Sequence, residues 1–230
     1  MRQVGELAEG LRAPINHSRV YSFEATCDPH IHIDEWDEHG ISPVELAQTL
    51  HERANSHSNR LNVAVLLAHN AVDVDNFFRV EQLLADTSEE TRRRVKLLFG
   101  TELTIWHGHD KHHVVCVFDG EPNPFNYPEI PRANGALEMK DFEGFMKDSF
   151  VSIAAHPGMM DKEVRRSPES TLDLLGSGLV DAIEVGNGNI LTHGPRLDAT
   201  SATDIATSLA FLSHLAVVGG SDAHEAKEIG

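Results

Sequence analysis

The chain has 230 residues, and its 36 Asp and Glu against 19 Lys and Arg give a formal net charge of −17 when the 15 histidines are neutral. This length suits one ordinary domain or one barrel with a sizeable core. The acidic balance argues against a broad surface for anionic lipid or a nucleic-acid backbone, so membranes and long nucleic acids are not expected partners. A small phosphorylated substrate remains compatible with this charge if metal ions keep its site positive.

The two cysteines, Cys27 and Cys116, are far apart in the sequence and form no CxxC pair. This excludes a disulfide scaffold and a cysteine-based zinc finger. The N-terminal residues lack the apolar core of a signal peptide, and the longest apolar runs, such as 63–68, are as short as strands. We therefore expect a cytoplasmic protein. The sequence does not indicate an oligomeric state.

Short apolar runs alternate with longer amphipathic segments, which is typical of β/α units. Ser42 and Pro43 are a candidate N-cap and first residue of a helix, and further helices are predicted from the spacing of apolar residues. The predicted strands are 22–27, 61–67, 95–100, 114–118, 151–155, 182–185 and 216–219. The predicted helices are 43–56, 74–85, 137–147, 168–175 and 202–212.

Residues 1–20 are interpreted as an N-terminal extension and residues 21–230 as one domain, because no linker or repeat divides the chain. The segment 119–134 contains four prolines and is predicted to be a loop. The last six residues carry no closing signal, which leaves open whether the natural chain continues past Gly230.

Histidines and carboxylates cluster at the ends of the predicted strands. His30 and His32 are two residues apart, so in extended backbone both imidazoles face the same side and can reach one metal ion. The carboxyl ends of parallel strands meet at one face of a barrel, where residues distant in sequence would surround one pocket. Imidazole and carboxylate are ligands for zinc, manganese or iron. The other residues at strand ends are His69, Glu102, His112, His113, His156, Glu184, Asp222 and His224.

These residues stand in motifs whose order and spacing resemble the PHP family, named after polymerase and histidinol phosphatase. The motifs are DPHIH at 28–32, LAHN at 67–70, GTE at 100–102, AHPG at 155–158, IEV at 183–185 and GSDAH at 220–224. The resemblance runs from about Asp28 to the end of the chain. It implies an α/β fold, a distorted seven-stranded (β/α)7 TIM-like barrel, with two or three divalent metal ions. It also implies an enzyme that hydrolyses phosphate esters, a phosphatase or a phosphodiesterase, and we expect metal-activated water to be its nucleophile.

The resemblance also implies a set of metal ligands. One ion would be held by His30, His32, Glu102 and Asp222, and Glu102 would bridge to a second ion at His113 and His156. His113 is preferred to its neighbour His112, because adjacent residues of a strand face opposite ways. A third ion would be held by His69, His224 and a residue after the HxH motif, for which Asp37 is slightly preferred to His39. Glu102 and Asp222 are also the candidate catalytic residues, and Asp222 is a candidate proton acceptor.

Candidates for binding the substrate follow the later strands. A phosphate group needs a fixed cation, and arginine can bind its oxygens through two hydrogen bonds. Glu184 could orient a ligand, bind substrate or be structural. The substrate candidates are Arg165, Arg166, Arg196, Glu184 and His193.

Two alternatives to a phosphoesterase remain. The amidohydrolase superfamily, which cleaves C–N or C–O bonds, also begins with an HxH motif and often uses a carboxylated lysine as a bridge. No lysine stands at a predicted strand end, and Glu102 can fill the bridging role, so the phosphoesterase is preferred. A non-catalytic PHP domain of a larger assembly is the second alternative, and the complete set of candidate ligands argues against it.

Overall fold

The computed structural model describes residues 26–33, 41–57, 60–107, 110–118, 136–146, 151–157, 168–188 and 196–229. Eight strands in these ranges belong to one sheet, and the strands pack against six α-helices and a 3-10 turn. The strands are β1 (Cys27–His32), β2 (Val63–His69), β3 (Lys96–His107), β4 (Asp110–Phe118), β5 (Leu137–Glu138), β6 (Val151–Ala155), β7 (Ala182–Asn187) and β8 (Ala216–Gly220). The helices are α1 (Pro43–Asn55), α2 (Val74–Thr87), α3 (Glu89–Arg94), α4 (Met139–Met146), α5 (Pro168–Gly176) and α6 (Arg196–Ser213).

The sheet is a nearly closed barrel of seven strands in the order β1-β2-β3-β4-β6-β7-β8, with β5 beside β3. The segment after β8 returns to β1, where the N–H of His32 donates to the carbonyl of Ala223 at 3.0 Å and the N–H of Ala223 donates to the carbonyl of His30 at 3.2 Å. The expectation of an α/β, TIM-like barrel is confirmed at this level, while the detailed PHP arrangement stays a prediction.

One strand departs from a wholly parallel barrel. β4 runs antiparallel to both β3 and β6, whereas the other neighbours on the path of seven strands are parallel. Only two residues separate β3 from β4, and a parallel crossover needs a dozen or more residues. The short connection therefore forces the chain to reverse, and the beginning of β4 lies at the same end of the barrel as the last residues of β2.

The inner face of the barrel changes in character along its axis. Val65 and Leu67 of β2 are buried in a small apolar cluster, and period-two alternation places His69 on the same face of the strand. Val115 and Val117 of β4 belong to the same cluster and share their face with His113. One end of the interior is therefore apolar, and the other end holds imidazoles. A larger apolar core lies between the sheet and the helices, with Leu46, Leu50, Phe77, Leu103 and Ile105 among its members.

Most predicted elements are present, with shifted ends. α1 begins at Pro43 as predicted, and Ser42 Oγ accepts a hydrogen bond from the N–H of Glu45. The first strand was predicted to end at Cys27, but it continues to His32, and its polar residues after Cys27 are buried. The prediction ended the strand too early because the polar HxH motif does not resemble a buried strand. The helix predicted at 137–147 begins only at Met139, after the two residues of β5.

The helix α3 was not predicted. Its sequence EETRRR has no apolar periodicity, and polar contacts support it instead: Ser88 Oγ accepts from the N–H of Thr91 at 3.3 Å, and Arg93 donates to Glu89 at 3.3 Å. Residues 119–134 and the strand residues predicted at 22–25 lie outside the described residues. Among the helices of the described ranges, none has the length and hydropathy needed to cross a membrane.

Candidate metal centre

Glu102 lies in the interior of β3 with only 2% of its surface exposed, and its two oxygens face different groups of histidines. Oε1 lies 2.9 Å from Nδ1 of His113 and 2.9 Å from Nε2 of His156, and these two nitrogens are 3.4 Å apart. Oε2 lies 3.3 Å from Nε2 of His32 and 3.3 Å from Nε2 of His69. One carboxylate therefore belongs to two clusters of donor atoms.

The HxH motif and Asp222 form the most compact group. Nε2 of His30 and Nε2 of His32 are 3.1 Å apart, and each lies 3.3 Å from Oδ1 of Asp222. Bonds of 2.0–2.1 Å at tetrahedral angles would separate neighbouring ligand atoms by about 3.3–3.4 Å. Glu102 Oε2, at 3.3 Å from His32 and 3.6 Å from His30, supplies a fourth atom at similar separations. The donor types and their separations thus fit a divalent metal ion.

A third group is formed by His32, His69 and His224, whose ligand atoms lie within 4.8 Å of one another. The ring of His32 stacks against each of the other two, with centroid distances of 4.0 Å to His69 and 4.3 Å to His224. The resemblance placed His69 and His224 at a separate third ion, whereas in the structure they also share His32. Asp37 and His39, the two candidates for the remaining ligand, lie outside the described residues.

Two of the candidate ligands have unusual backbone conformations. His156 has φ of 29° and Asp222 has φ of 50°, a region that costs side-chain-bearing residues about 1–3 kcal/mol. His156 directly follows β6, and Asp222 is the second residue after β8; at both places the chain turns away from the sheet. The turn directs these two side chains toward Glu102 and the HxH pair, and the surrounding hydrogen bonds hold the conformation.

His112 and His113 face opposite sides of β4. His113 faces the barrel interior and Glu102, whereas Nε2 of His112 lies 2.7 Å from Oγ of Ser170 in α5. His112 is buried between the sheet and that helix. The geometry therefore places the first of the two at a helix contact and the second in the candidate centre.

The substrate candidates are only partly described. Arg165, Arg166 and His193 lie outside the described residues, and so does the side chain of Arg196, whose backbone begins α6. Glu184 is buried beside the centre, where its Oε1 lies 3.1 Å from Nδ1 of His30. It is not among the described residues whose atoms group as possible ligands.

Sequence reasoning gave no role to two further residues. Asp28 Oδ1 accepts hydrogen bonds from the N–H of Ser221 at 3.0 Å and of His30 at 3.3 Å. Asn187 Nδ2 lies 3.1 Å from Oε2 of Glu184 and 3.0 Å from Oδ2 of Asp222. Both residues stand within or next to the motifs, but each also contacts the segment after β8, at Ser221 or Asp222, and only the folded register reveals those two contacts.

The charges of the centre are strongly coupled. Burial lowers the pKa of His30, but the negative charges of Asp222, Glu184 and Glu102 outweigh burial and raise that pKa well above its usual value. Burial likewise raises the pKa values of Glu102 and Asp222, yet the nearby histidines hold both well below the usual range. The carboxylates are therefore ionised at neutral pH, as metal ligands must be.

No protein-family model and no curated protein matches this sequence. Several solved structures share its fold, among them the following two. One is a proposed metal-dependent phosphoesterase from Bifidobacterium adolescentis, with a TM-score of 0.56, 14% identity and coverage of 88% of both chains. The other is an amidohydrolase from Chromobacterium violaceum, with a TM-score of 0.59, 17% identity and coverage of 90% of both chains. At these identities the likeness establishes the fold alone.

Proposed function

We propose that the protein is a metal-dependent phosphoesterase that hydrolyses a phosphate ester of a small molecule. The observation that carries this proposal is the position of Glu102, whose two oxygens face two separate groups of nitrogen donors at 2.9–3.6 Å. A carboxylate in this position can bridge two metal ions, and paired ions are typical of sites that displace groups at phosphorus. The fold shared with a proposed phosphoesterase supports the same conclusion.

The side chains divide into the parts that such a site needs. His30, His32 and Asp222 would hold one ion, His113 and His156 a second, and Glu102 both, with His69 and His224 available to a third. Bound divalent ions would activate water and neutralise the charge of the phosphate group. Asp222 is itself one of these donors and is also the candidate proton acceptor.

The cysteines give no support to a covalent mechanism. Burial raises the pKa of the Cys116 thiol far above neutrality. Partial burial and, second, the charge of Asp28 raise the pKa of Cys27 to about 11. Both thiols are therefore protonated at neutral pH, and a thiol is a much weaker nucleophile than a thiolate.

An amidohydrolase activity is the second candidate, because one structure with this fold is an amidohydrolase. Phosphate monoesters, mononucleotides, bisphosphorylated nucleotides and short oligonucleotides should be assayed beside an amide and a lactone, with protein loaded with manganese, zinc or iron. The proposal expects turnover of at least one phosphate ester. Turnover of the amide or lactone alone would replace it with the second candidate.

A double variant connects the activity to the centre. Replacing His30 and His32 by alanine should abolish turnover and remove the ion that these two residues would hold, measured by elemental analysis. His57, an exposed histidine after α1, provides the control, and His57→Ala should retain both properties. Full activity in the double variant would show that the reaction occurs elsewhere, and a wild-type protein that binds metal yet hydrolyses nothing would favour a non-catalytic role.

A further inference from the structure

Glu184 is buried behind the HxH motif, and its carboxylate contacts groups from three parts of the barrel. We propose that Glu184 is a positioning residue that fixes the orientation and tautomer of His30 and aligns it with His156 and Asp222. This inference rests on the proposed metal-dependent function. It assigns to Glu184 a role through other residues and not through contact with the ion or the substrate.

The first contact of Glu184 is with the ring of His30. Nδ1 of His30 lies 3.1 Å from Oε1 of Glu184, and an ionised carboxylate can only accept a hydrogen bond. Nδ1 must therefore carry the proton. In neutral imidazole this leaves Nε2 with its lone pair, and Nε2 is the atom that faces His32, Asp222 and Glu102. Glu184 thus selects the tautomer that a metal ion requires.

The second contact of Glu184 is with the backbone of His156. Its N–H donates to Oε2 of Glu184 at 2.7 Å, at a residue whose φ of 29° is unfavourable. This hydrogen bond holds the chain in the turn that directs the imidazole toward Glu102. The same carboxylate therefore fixes one donor in each of the two groups that meet at Glu102.

The third contact of Glu184 is with the side chain of Asn187, which also contacts Asp222. Asn187 Nδ2 donates to Oε2 of Glu184 at 3.1 Å and to Oδ2 of Asp222 at 3.0 Å. The amide occupies the outer oxygen of Asp222 and leaves Oδ1 facing His30 and His32. Glu184 therefore contacts His30 and His156 directly and Asp222 through Asn187, so one side chain positions candidate ligands from three strands or strand ends.

Space for this carboxylate depends on a glycine. A Cβ added at Gly220 would meet Oε1 of Glu184 and Cβ of His30. Any other residue at this position of β8 would force the carboxylate of Glu184 or the side chain of His30 to move, and either shift alters their contact. Gly220→Ala is therefore a second way to disturb the contact without removing the charge of Glu184.

Its position also distinguishes Glu184 from a ligand. It lies on the Nδ1 side of the His30 ring, whereas the candidate ligand atoms lie on the Nε2 side. Both of its oxygens accept hydrogen bonds from protein N–H groups, and the hydrogen-bonding partner of a metal-bound histidine is known to orient the ring. Loss of such a partner typically weakens metal binding about 10- to 100-fold.

The test compares Glu184→Gln and Gly220→Ala with a matched control, Asp181→Asn. Asp181 stands just before β7 and accepts hydrogen bonds from the N–H and hydroxyl of Ser152, so it is a structural carboxylate near the same strand. Zinc and manganese affinities are measured by competition with a chromophoric chelator. Proton–nitrogen correlation spectra of the zinc-loaded proteins report which histidine nitrogen carries the proton.

We expect both site variants to bind metal about 10- to 100-fold more weakly and to lose the signal of a hydrogen-bonded Nδ1–H at His30. The control Asp181→Asn should keep the metal affinity and the His30 signal, even if its free energy of unfolding falls. If a metal-free variant unfolds, the zinc concentration that half-restores the fold measures the same affinity. Unchanged affinity and an unchanged His30 signal in Glu184→Gln would overturn the inference. Wild-type protein that binds metal but hydrolyses no phosphate ester would instead contradict the proposed function alone.

Discussion

Oδ1 of Asp28 accepts a hydrogen bond at 3.0 Å from the backbone N–H of Ser221, a residue 193 positions later in the chain. The same oxygen accepts from the N–H of His30, and Oγ of Ser221 donates to the carbonyl of His30 at 3.1 Å. These contacts join the first strand to the segment that carries Asp222. The closure of the barrel and the geometry of the candidate metal centre therefore depend on the same few atoms.

Replacing Asp28 by alanine should destabilise the fold. Two backbone N–H groups would lose a buried acceptor, and a buried donor without its partner costs about 1–3 kcal/mol. Urea unfolding followed by circular dichroism measures the loss. Glu143→Ala, at an exposed position of α4, should change the free energy of unfolding by less than about 0.5 kcal/mol. Equal midpoints for the two variants would contradict a role for Asp28 in closure.

Two glycines should respond in opposite ways to alanine. A Cβ at Gly100 would meet the carbonyl oxygen of Cys116 and the side chain of Leu67, so Gly100→Ala should cost about 1–3 kcal/mol by overpacking. Among the described residues, no atom outside the backbone of α4 lies within 4 Å of a Cβ built at Gly144, so Gly144→Ala should stabilise the protein by roughly 0.5–1 kcal/mol. Thermal unfolding of the two variants checks the signs, and a stabilised Gly100→Ala would show that β3 and β4 are packed less closely than described.

Adjacent histidines should differ in metal binding. His113→Ala removes a nitrogen 2.9 Å from Oε1 of Glu102 and should weaken the binding of one ion by more than about tenfold. His112→Ala removes a contact with Ser170 outside the barrel and should lower stability while leaving the bound metal unchanged. Elemental analysis after dialysis against a weak chelator separates the two results. A loss of metal confined to His112→Ala would reverse the assignment of the two faces of β4.

The metal-free protein should be most stable in mild acid. The pKa of His30 is raised above 6.5, so the stability that its protonated ring contributes is complete below pH 6.5 and is lost as the pH rises through the raised value. The pKa values of Glu102 and Asp222 are lowered below 4.5 and 3.8, so their contribution is complete above pH 4.5 and is lost as the pH falls through the lowered values.

Melting temperatures of chelator-treated protein should therefore be highest between about pH 4.5 and 6.5. Added zinc should move the maximum upward, because the metal binds the deprotonated histidines. His30→Gln provides the control, since it should remove much of the decline on the alkaline side. A metal-free protein whose stability rises steadily from pH 6 to 8 would contradict the charge balance described for this centre.

The alternation of strands and helices was predictable because apolar runs and capping residues are local signals. Ser42 and Pro43 marked the start of α1 correctly, and the run at 151–155 coincides with β6. The sequence also contains the cause of the reversal of β4, which is the short connection between β3 and β4. The short connection could not be recognised from the sequence, because both strands extend beyond their apolar runs through polar residues as far as His107 and Asp110.

The motifs indicated the residues that the structure brings together, from His30 to His224, but not their hydrogen-bonding partners. Asn187 contacts Asp222 only because β7 and the chain after β8 adopt one particular register. Such contacts depend on several strands at once, and no local pattern contains them. The family resemblance had already grouped His113 with Glu102, and the structure shows that the reversed direction of β4 brings the two side chains together.

The antiparallel pair β3 and β4 has a consequence for the order in which this protein assembles. Glu102 and His113 are 11 positions apart on neighbouring strands joined by two residues, so little chain entropy opposes their meeting. His30 and Asp222 meet only when almost the whole chain has been brought together, and such distant contacts form late. On the ribosome, the half of the centre around Oε1 of Glu102 can therefore form while the other half is still incomplete. The protein should gain its full affinity for metal only after Asp222 has left the ribosomal exit tunnel.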